Sequence, residues 1–156
     1  MARLNYRAME SERAEALWNG GPDDYGLAPE RRLSDGNGVP CRHCLGLIEA
    51  GADYLVFAFR PFSSLQPYAE TGPVFLHAER CANGGGVDMP DMLRGSADFI
   101  LRGYGPDERI VYGTGGVVPV ERIEARAQEL LARDDIASVH VRSARNNCFQ
   151  CRIERD

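Results

Sequence analysis

The sequence predicts an α+β fold, a single domain spanning 1–156 with a mainly antiparallel sheet, one clear helix in the C-terminal half and a short helix near the N-terminus. Three observations carry that prediction: β-prone segments dominate, Gly- and Pro-rich turns separate them, and the one convincing helical period comes late in the chain. A length of 156 residues suffices for one hydrophobic core and is too short for two comfortable ones. Hydrophobic residues at 44% and charged residues at 26% match soluble globular proteins and argue against both disorder and a membrane-embedded chain.

Residues 2–7 suit a short strand, and Glu10 to Trp18 a short helix closed by Asn19-Gly20-Gly21-Pro22. Residues 20–40, rich in Gly, Pro, Asp and Asn, read as a long loop or internal linker. Tyr54 to Phe59 is nearly all apolar, the pattern of a strand covered on both faces, and Val74-Phe-Leu76 is a shorter strand. Between them runs a connection holding three prolines. Phe99 to Arg102 and Arg109 to Tyr112 predict two strands around a turn at Gly103-Tyr-Gly-Pro-Asp107. Pro119 suits a first helical turn, and Val120, Ile123, Ala127, Leu130 and Leu131 form one apolar stripe ending by Asp134-Asp135, with Glu129 and Arg133 spaced for an i,i+4 pair. Ile136 to Val141 and Phe149 to Ile153 predict a closing hairpin turning near Arg145-Asn-Asn147.

All 18 cationic residues are Arg, which excludes Schiff-base lysines, P-loop lysines and lysine bases. A net charge of −5 opposes general affinity for nucleic acid or anionic membranes. Charges in Met1-Ala-Arg-Leu-Asn-Tyr-Arg7 stand where a secretory signal needs an apolar run. The longest apolar stretch falls far short of the about 20 residues that span a bilayer. A reducing cytoplasm is therefore expected, where close cysteines bind metal, act in redox chemistry or are buried.

Five cysteines focus the search for chemistry. Cys41-Arg-His-Cys44 can grip one Zn²⁺ if the backbone turns sharply, with the loop before it and Gly46 after it supplying the turn. His77-Ala-Glu-Arg-Cys81 places an imidazole and a thiol at i and i+4, on one face of a helical turn that Asn83-Gly-Gly-Gly86 would end. Together they write C-x2-C-x32-H-x3-C, a tetrahedral set for a structural zinc. Cys148-Phe-Gln-Cys151 is the alternative metal or redox pair. Strand alternation sends Phe149, Cys151 and Ile153 to the core and Cys148 away, unless a bulge intervenes. An all-thiolate site of Cys41, Cys44, Cys148 and Cys151 is a further possibility.

C-x-H-C also occurs in oxidising thioredoxin-like proteins, but those need a strand before the motif and a long helix after it. A nucleophile reading takes Cys81 with His77 as base and Glu70 as orienter. In a thiol- or metal-dependent enzyme, His43 or Glu79 would assist. Arg60, Tyr68 and Glu70 on the Pro-rich connection are candidates for a ligand groove accepting a small molecule or protein; the bland reading is a surface loop stapled by Phe62, Leu65 and Tyr68. Gly103-Tyr-Gly105 and Gly113-Thr-Gly-Gly116 are turns and lack the spacing of phosphate loops.

Locally, 41–81 resembles the start of treble-clef zinc fingers, with Ile48-Glu-Ala-Gly51 leading into a strand. Its spacing is similar to the finger of the poly(ADP-ribose) polymerases, which carries H-x2-C where this chain has H-x3-C. That resemblance implies the metal geometry, whereas the acidic balance makes DNA binding the least favoured function. Across the chain from Pro40 onward, Pro40-Cys-Arg-His-Cys-Leu45, Arg60-Pro-Phe62, Pro67-Tyr-Ala-Glu70, Gly72-Pro-Val-Phe-Leu-His-Ala78 with Cys81, and Cys148-Phe-Gln-Cys-Arg152 resemble the bacterial domain of unknown function 1203 family (DUF1203). The resemblance implies a one-domain bacterial cytoplasmic protein whose cysteines and Pro-Tyr-Ala-Glu to His-Ala run belong to one constellation. It assigns no reaction.

Overall fold

Two antiparallel sheets and two helices make up the fold, which a computed structural model describes for residues 2–156. In chain order the elements are β1 (Leu4–Arg7), α1 (Ser11–Trp18), β2 (Glu30–Leu33), β3 (Asp53–Phe59), β4 (Gly72–His77), β5 (Asp98–Tyr104), β6 (Gly116–Pro119), α2 (Ile123–Leu131), β7 (Ser138–Ser143) and β8 (Phe149–Arg155). The larger sheet has strand order β1-β8-β7-β5-β6, and the smaller has β2-β3-β4. The class is α+β, as the sequence predicts. No helix among the described residues is long and apolar enough to cross a membrane.

The apolar stripe of α2 covers one face of the larger sheet. Ile123, Ala127, Leu130 and Leu131 pack with Leu101, Val139, Val141, Cys151 and Ile153, all buried. Each large aliphatic side chain taken out of water there contributes about 1.5–3 kcal/mol, enough to fix a nine-residue helix that would not persist alone. The helix starts later than its stripe suggests, because Pro119 pairs with Asp98 at the sheet edge and a 3₁₀ turn, Val120–Arg122, intervenes. A sheet edge tolerates proline's missing N–H. Glu129 pairs with Arg126 at 3.1 Å, while Arg133 turns to Asp135, so the expected Glu129–Arg133 pair does not form.

Three other expectations are corrected. Within 20–40 the chain forms β2, an edge strand whose four side chains are all exposed and which therefore carries no alternation to read. Residues 109–112 form only a single bridge, Tyr104 to Ile110. The strand beside β5 is β6, since Thr114 closes a turn by accepting the Gly103 N–H at 2.9 Å and donating to the Val111 carbonyl at 2.6 Å. In β3, the central strand of the three-stranded sheet, only Phe57, Ala58 and Phe59 are buried, whereas Tyr54, Leu55 and Val56 are half-covered, so the strand is not covered on both faces along its length. Phe57 and Phe59 join Met9, Ala14, Leu17, Ile48, Val74 and Leu76 in a second core beneath α1.

Strand β8 serves both cores. Its register on β7 shifts by one residue, Val141 opposing Cys151 and Arg142 opposing Phe149, so Gln150 is a bulge. One extra residue reverses the alternation. Cys151 and Ile153 face α2, as expected, but Phe149 lies in the second core against Phe59, ring centroids 5.9 Å apart.

On that second face, one rung across four strands carries Arg7, Arg152, His140 and Arg102, each opposite the next. His140 is buried to 1% exposure, stacked on Tyr104 at 4.2 Å and flanked by the rings of Phe62 and Phe149. Burial, with the neighbouring charges of Arg142, Arg152 and Arg102, holds its pKa well below 6.5. The unfolded chain then binds a proton below about pH 6.5 that the folded chain refuses, so this contribution is complete above that pH and falls on acidification. The expected slope is about 1.4 kcal/mol per pH unit for one proton. Denaturant melts of the wild type and His140→Phe between pH 7.5 and 5.5 check it: the variant should lose less stability across that range, and parallel curves would contradict the assignment.

Candidate metal centre

Four side chains from three segments converge under α1. Cys41 and Cys44 come from the turn before β3, His77 from the end of β4 and Cys81 from the chain beyond it; their ligand atoms all lie within 4.8 Å of one another. The local structure explains the convergence. Cys41 N–H donates to the Gly46 carbonyl at 2.9 Å, Leu45 N–H donates to the Cys41 carbonyl at 2.9 Å, and Pro40 bridges to Leu47, which closes a tight knuckle. The left-handed residue of that turn is Leu45, φ +58°, while Gly46 follows it and its carbonyl accepts the Cys41 N–H. Its side chain is anchored in the first core, which holds a non-glycine residue in a conformation that costs about 1–2 kcal/mol.

His77 and Cys81 do not share a helical turn. His77 is still paired with Tyr54 in the β4–β3 ladder, and its carbonyl accepts the Trp18 indole N–H at 2.7 Å. The chain then bends through residues without regular structure to Cys81. The glycines after it do not end a helix either. Gly84 N–H donates to the His43 carbonyl at 2.9 Å and Gly86 exchanges two hydrogen bonds with Tyr6, so the run lies across the knuckle and onto β1.

Two distances within the cluster match the edges of a coordination tetrahedron. Zn–S bonds of about 2.3 Å and a Zn–N bond of about 2.0–2.1 Å give S–S edges near about 3.8 Å and S–N edges of about 3.5–3.6 Å. Cys41 Sγ lies 3.8 Å from Cys81 Sγ, and Cys44 Sγ lies 3.5 Å from His77 Nδ1. None of the thiols is in a disulfide. His77 turns its other nitrogen, Nε2, to Glu49 at 3.5 Å, the kind of carboxylate neighbour that metal-binding imidazoles commonly have.

The surrounding groups polarise the thiols unequally. A hydrogen bond with Cys44, helped by backbone N–H groups including that of His77 at 3.4 Å, draws the Cys41 pKa down to about 4. Cys44 is displaced upward by the same bond and by burial, and burial with the Cys41 charge pushes Cys81 up to about 12. His43 stands behind the cluster with Nδ1 3.4 Å from Cys81 Sγ and Nε2 2.9 Å from Ser11 Oγ. Burial lowers its pKa, so the ring is neutral and can donate to the sulfur while accepting from Ser11. Arg42, 2% exposed, donates from Nε to the Phe149 carbonyl and from a terminal nitrogen to the Pro40 carbonyl, both at 2.7 Å.

The other candidates are placed elsewhere. Cys151 faces the first core, where burial lifts its pKa to about 12, and Cys148 sits at the hairpin turn near the Asn146 carbonyl; neither joins the four-ligand group. No helix follows Cys44 before β3, so the frame of a thioredoxin-like dithiol is missing. Glu70 pairs with Arg102 at 3.0 Å and Arg142 at 3.2 Å; the carboxylate beside His77 is Glu49. Tyr68 accepts a hydrogen bond from Tyr112, while Arg60 and Glu70 line different cavities. Glu79 is exposed. Ser11, Trp18 and Glu49 carry no motif; only the position of Glu49, just past the knuckle, marked it in the sequence.

No curated protein and no solved structure matches the chain. Residues 38–155, which contain the whole cluster, match the model of the family described as Protein of unknown function (DUF1203), and the chain belongs to that family.

Proposed function

We propose that Cys41, Cys44, His77 and Cys81 bind one structural Zn²⁺, and that the chain is a small binding module of a reducing, cytoplasmic setting whose ligand-bearing lobe the metal holds together. The observation that carries this reading is the pair of tetrahedral edges, one S–S and one S–N, within a cluster no wider than 4.8 Å. Four protein ligands saturate the ion and leave no position for a reacting water, which favours a structural role over a catalytic one. Cys41 is fully buried, and none of the four ligands lines the cavities of about 350, 330 and 320 Å³ found elsewhere on the molecule. A thiol enzyme would need its nucleophile within reach of a substrate.

Metal analysis of protein purified without added zinc, combined with thiol titration before and after a chelator, tests the reading. The expected result is one zinc per chain and three thiols that become reactive only on chelation. A metal-free protein with one fast-reacting cysteine would overturn it and favour thiol chemistry.

A further inference from the structure

The rung of Arg7, Arg152, His140 and Arg102 on the second face of the larger sheet needs a physical account. Like charges directly opposite one another on neighbouring strands destabilise a sheet, and Arg7 stands directly opposite Arg152. Part of the repulsion is met within the chain. Glu154 lies 2.8 Å from Arg152 and 3.7 Å from Arg7, and Glu70 bridges Arg102 and Arg142.

Over the Arg7–Arg152 end of the rung opens a groove of about 350 Å³. Its floor is the sheet, one wall is the start of α1 with Met9 and Arg13, and the other is the end of β3 with Arg60, Pro61 and Phe62. Phe59, Phe62 and Phe149 supply an apolar lining. Four arginines and two glutamates, Glu10 and Glu108, line it; Glu108 is held by Ser63, and three of the arginines have carboxylate partners: Arg13 binds Asp24, and Arg7 and Arg152 share Glu154. Arg60 has none among the described residues, and its Nε is buried without a hydrogen bond. The Arg152 Nε is likewise buried, close to Glu154 but without the alignment of a hydrogen bond. A buried donor with no partner at all, as the Arg60 Nε is, costs about 1–3 kcal/mol unless a ligand or water satisfies it.

We infer that this groove binds a small organic anion: a carboxylate or phosphate head held by the forks of Arg60 and Arg152, and an apolar or aromatic body laid over Phe59, Phe62 and Phe149. A planar guanidinium pairs bidentately with such a head, and a concave, mostly apolar wall with few placed polar groups is the usual form of a small-molecule site. The site lies outside the metal cluster and does not depend on the metal reading.

Calorimetric titration of the full chain as purified with benzoate, phenyl phosphate, inorganic phosphate and benzamide provides the test. Benzoate or phenyl phosphate should bind at one saturable site, whichever head is preferred identifying the anion. Benzamide, of the same shape without charge, should bind at least about tenfold more weakly, as should inorganic phosphate, which lacks the ring. R60Q and R152Q should each weaken the preferred anion by about tenfold or more, while R94Q, distant and exposed, should not. R60Q keeps the hydrogen bond from the residue 60 backbone N–H to Asp24, and far-UV circular dichroism checks that the variant is folded. Equal binding of benzamide, equal binding of inorganic phosphate, wild-type affinity in folded R60Q, or no binding of any anion would each overturn the inference.

Discussion

Removing the proposed zinc with a chelator is expected to lower the unfolding midpoint by about 10–20 °C, the largest change any single treatment should produce. Zinc binding to small metal-nucleated folds is worth about 10–16 kcal/mol, because the ligands are not assembled in the unfolded chain. This chain has two apolar cores besides the cysteine–histidine cluster, so about 5 kcal/mol of that is the loss expected here, at about 2–4 °C per kcal/mol for a domain of this size. The damage should concentrate around α1, which holds the site through Ser11 on His43 and Trp18 on the His77 carbonyl. Without the ion, Cys41 keeps a negative charge in a fully buried position, a further penalty. Calorimetric melts with and without chelator check this, and added zinc should restore the midpoint. Cys44→Ser should reproduce the loss in the absence of chelator. An unchanged midpoint in both would remove the structural role.

Gly84→Ala should cost about 3 kcal/mol or more and weaken metal retention, although residue 84 touches no metal. A Cβ there would stand 1.7 Å from the Cys44 carbonyl oxygen and 2.4 Å from its carbon, both backbone atoms that no rotamer can move aside. Relief requires that the glycine run or the knuckle shift, and a shifted knuckle displaces Cys44 Sγ. Gly46→Ala is the control. It lies next to the same cysteine, but its Cβ would meet only Cys44 Sγ at 3.6 Å, ordinary van der Waals contact, so it should change stability by less than about 1 kcal/mol. Urea melts and metal release to a chromogenic chelator measure both variants; equal behaviour of the two would show that close packing at Gly84 is unimportant.

Ligand types and spacing were enough to expect Cys41, Cys44, His77 and Cys81 in one cluster, because soft donors in pairs are rare and specific. The secondary structure between them was not legible. A single helical turn at 77–81 fits the i,i+4 spacing, yet ladder pairing of His77 to Tyr54 keeps that end extended, and such pairing depends on a strand more than twenty residues away. The same holds for β2, whose exposed Glu-Arg-Arg-Leu has no pattern until β3 is beside it. Helix α2 was legible because its stripe is a local property, and Cys151 because alternation counts correctly from Ile153. Phe149 defeated the same count, since a bulge at Gln150 has no marker in a run of ordinary strand residues. The arginine rung has no local signature for a related reason: Arg7, Arg102 and Arg152 are far apart in sequence, and only register makes them neighbours.

That bulge gives Phe149 two loyalties. Its carbonyl is held by Arg42 from inside the cysteine knuckle, and its ring lines the arginine groove. One residue thus sits on the boundary of both sites, and thermodynamic reciprocity governs what can pass through it: by whatever factor an ion in the knuckle alters the groove's hold on an anion, the anion alters the knuckle's hold on the ion.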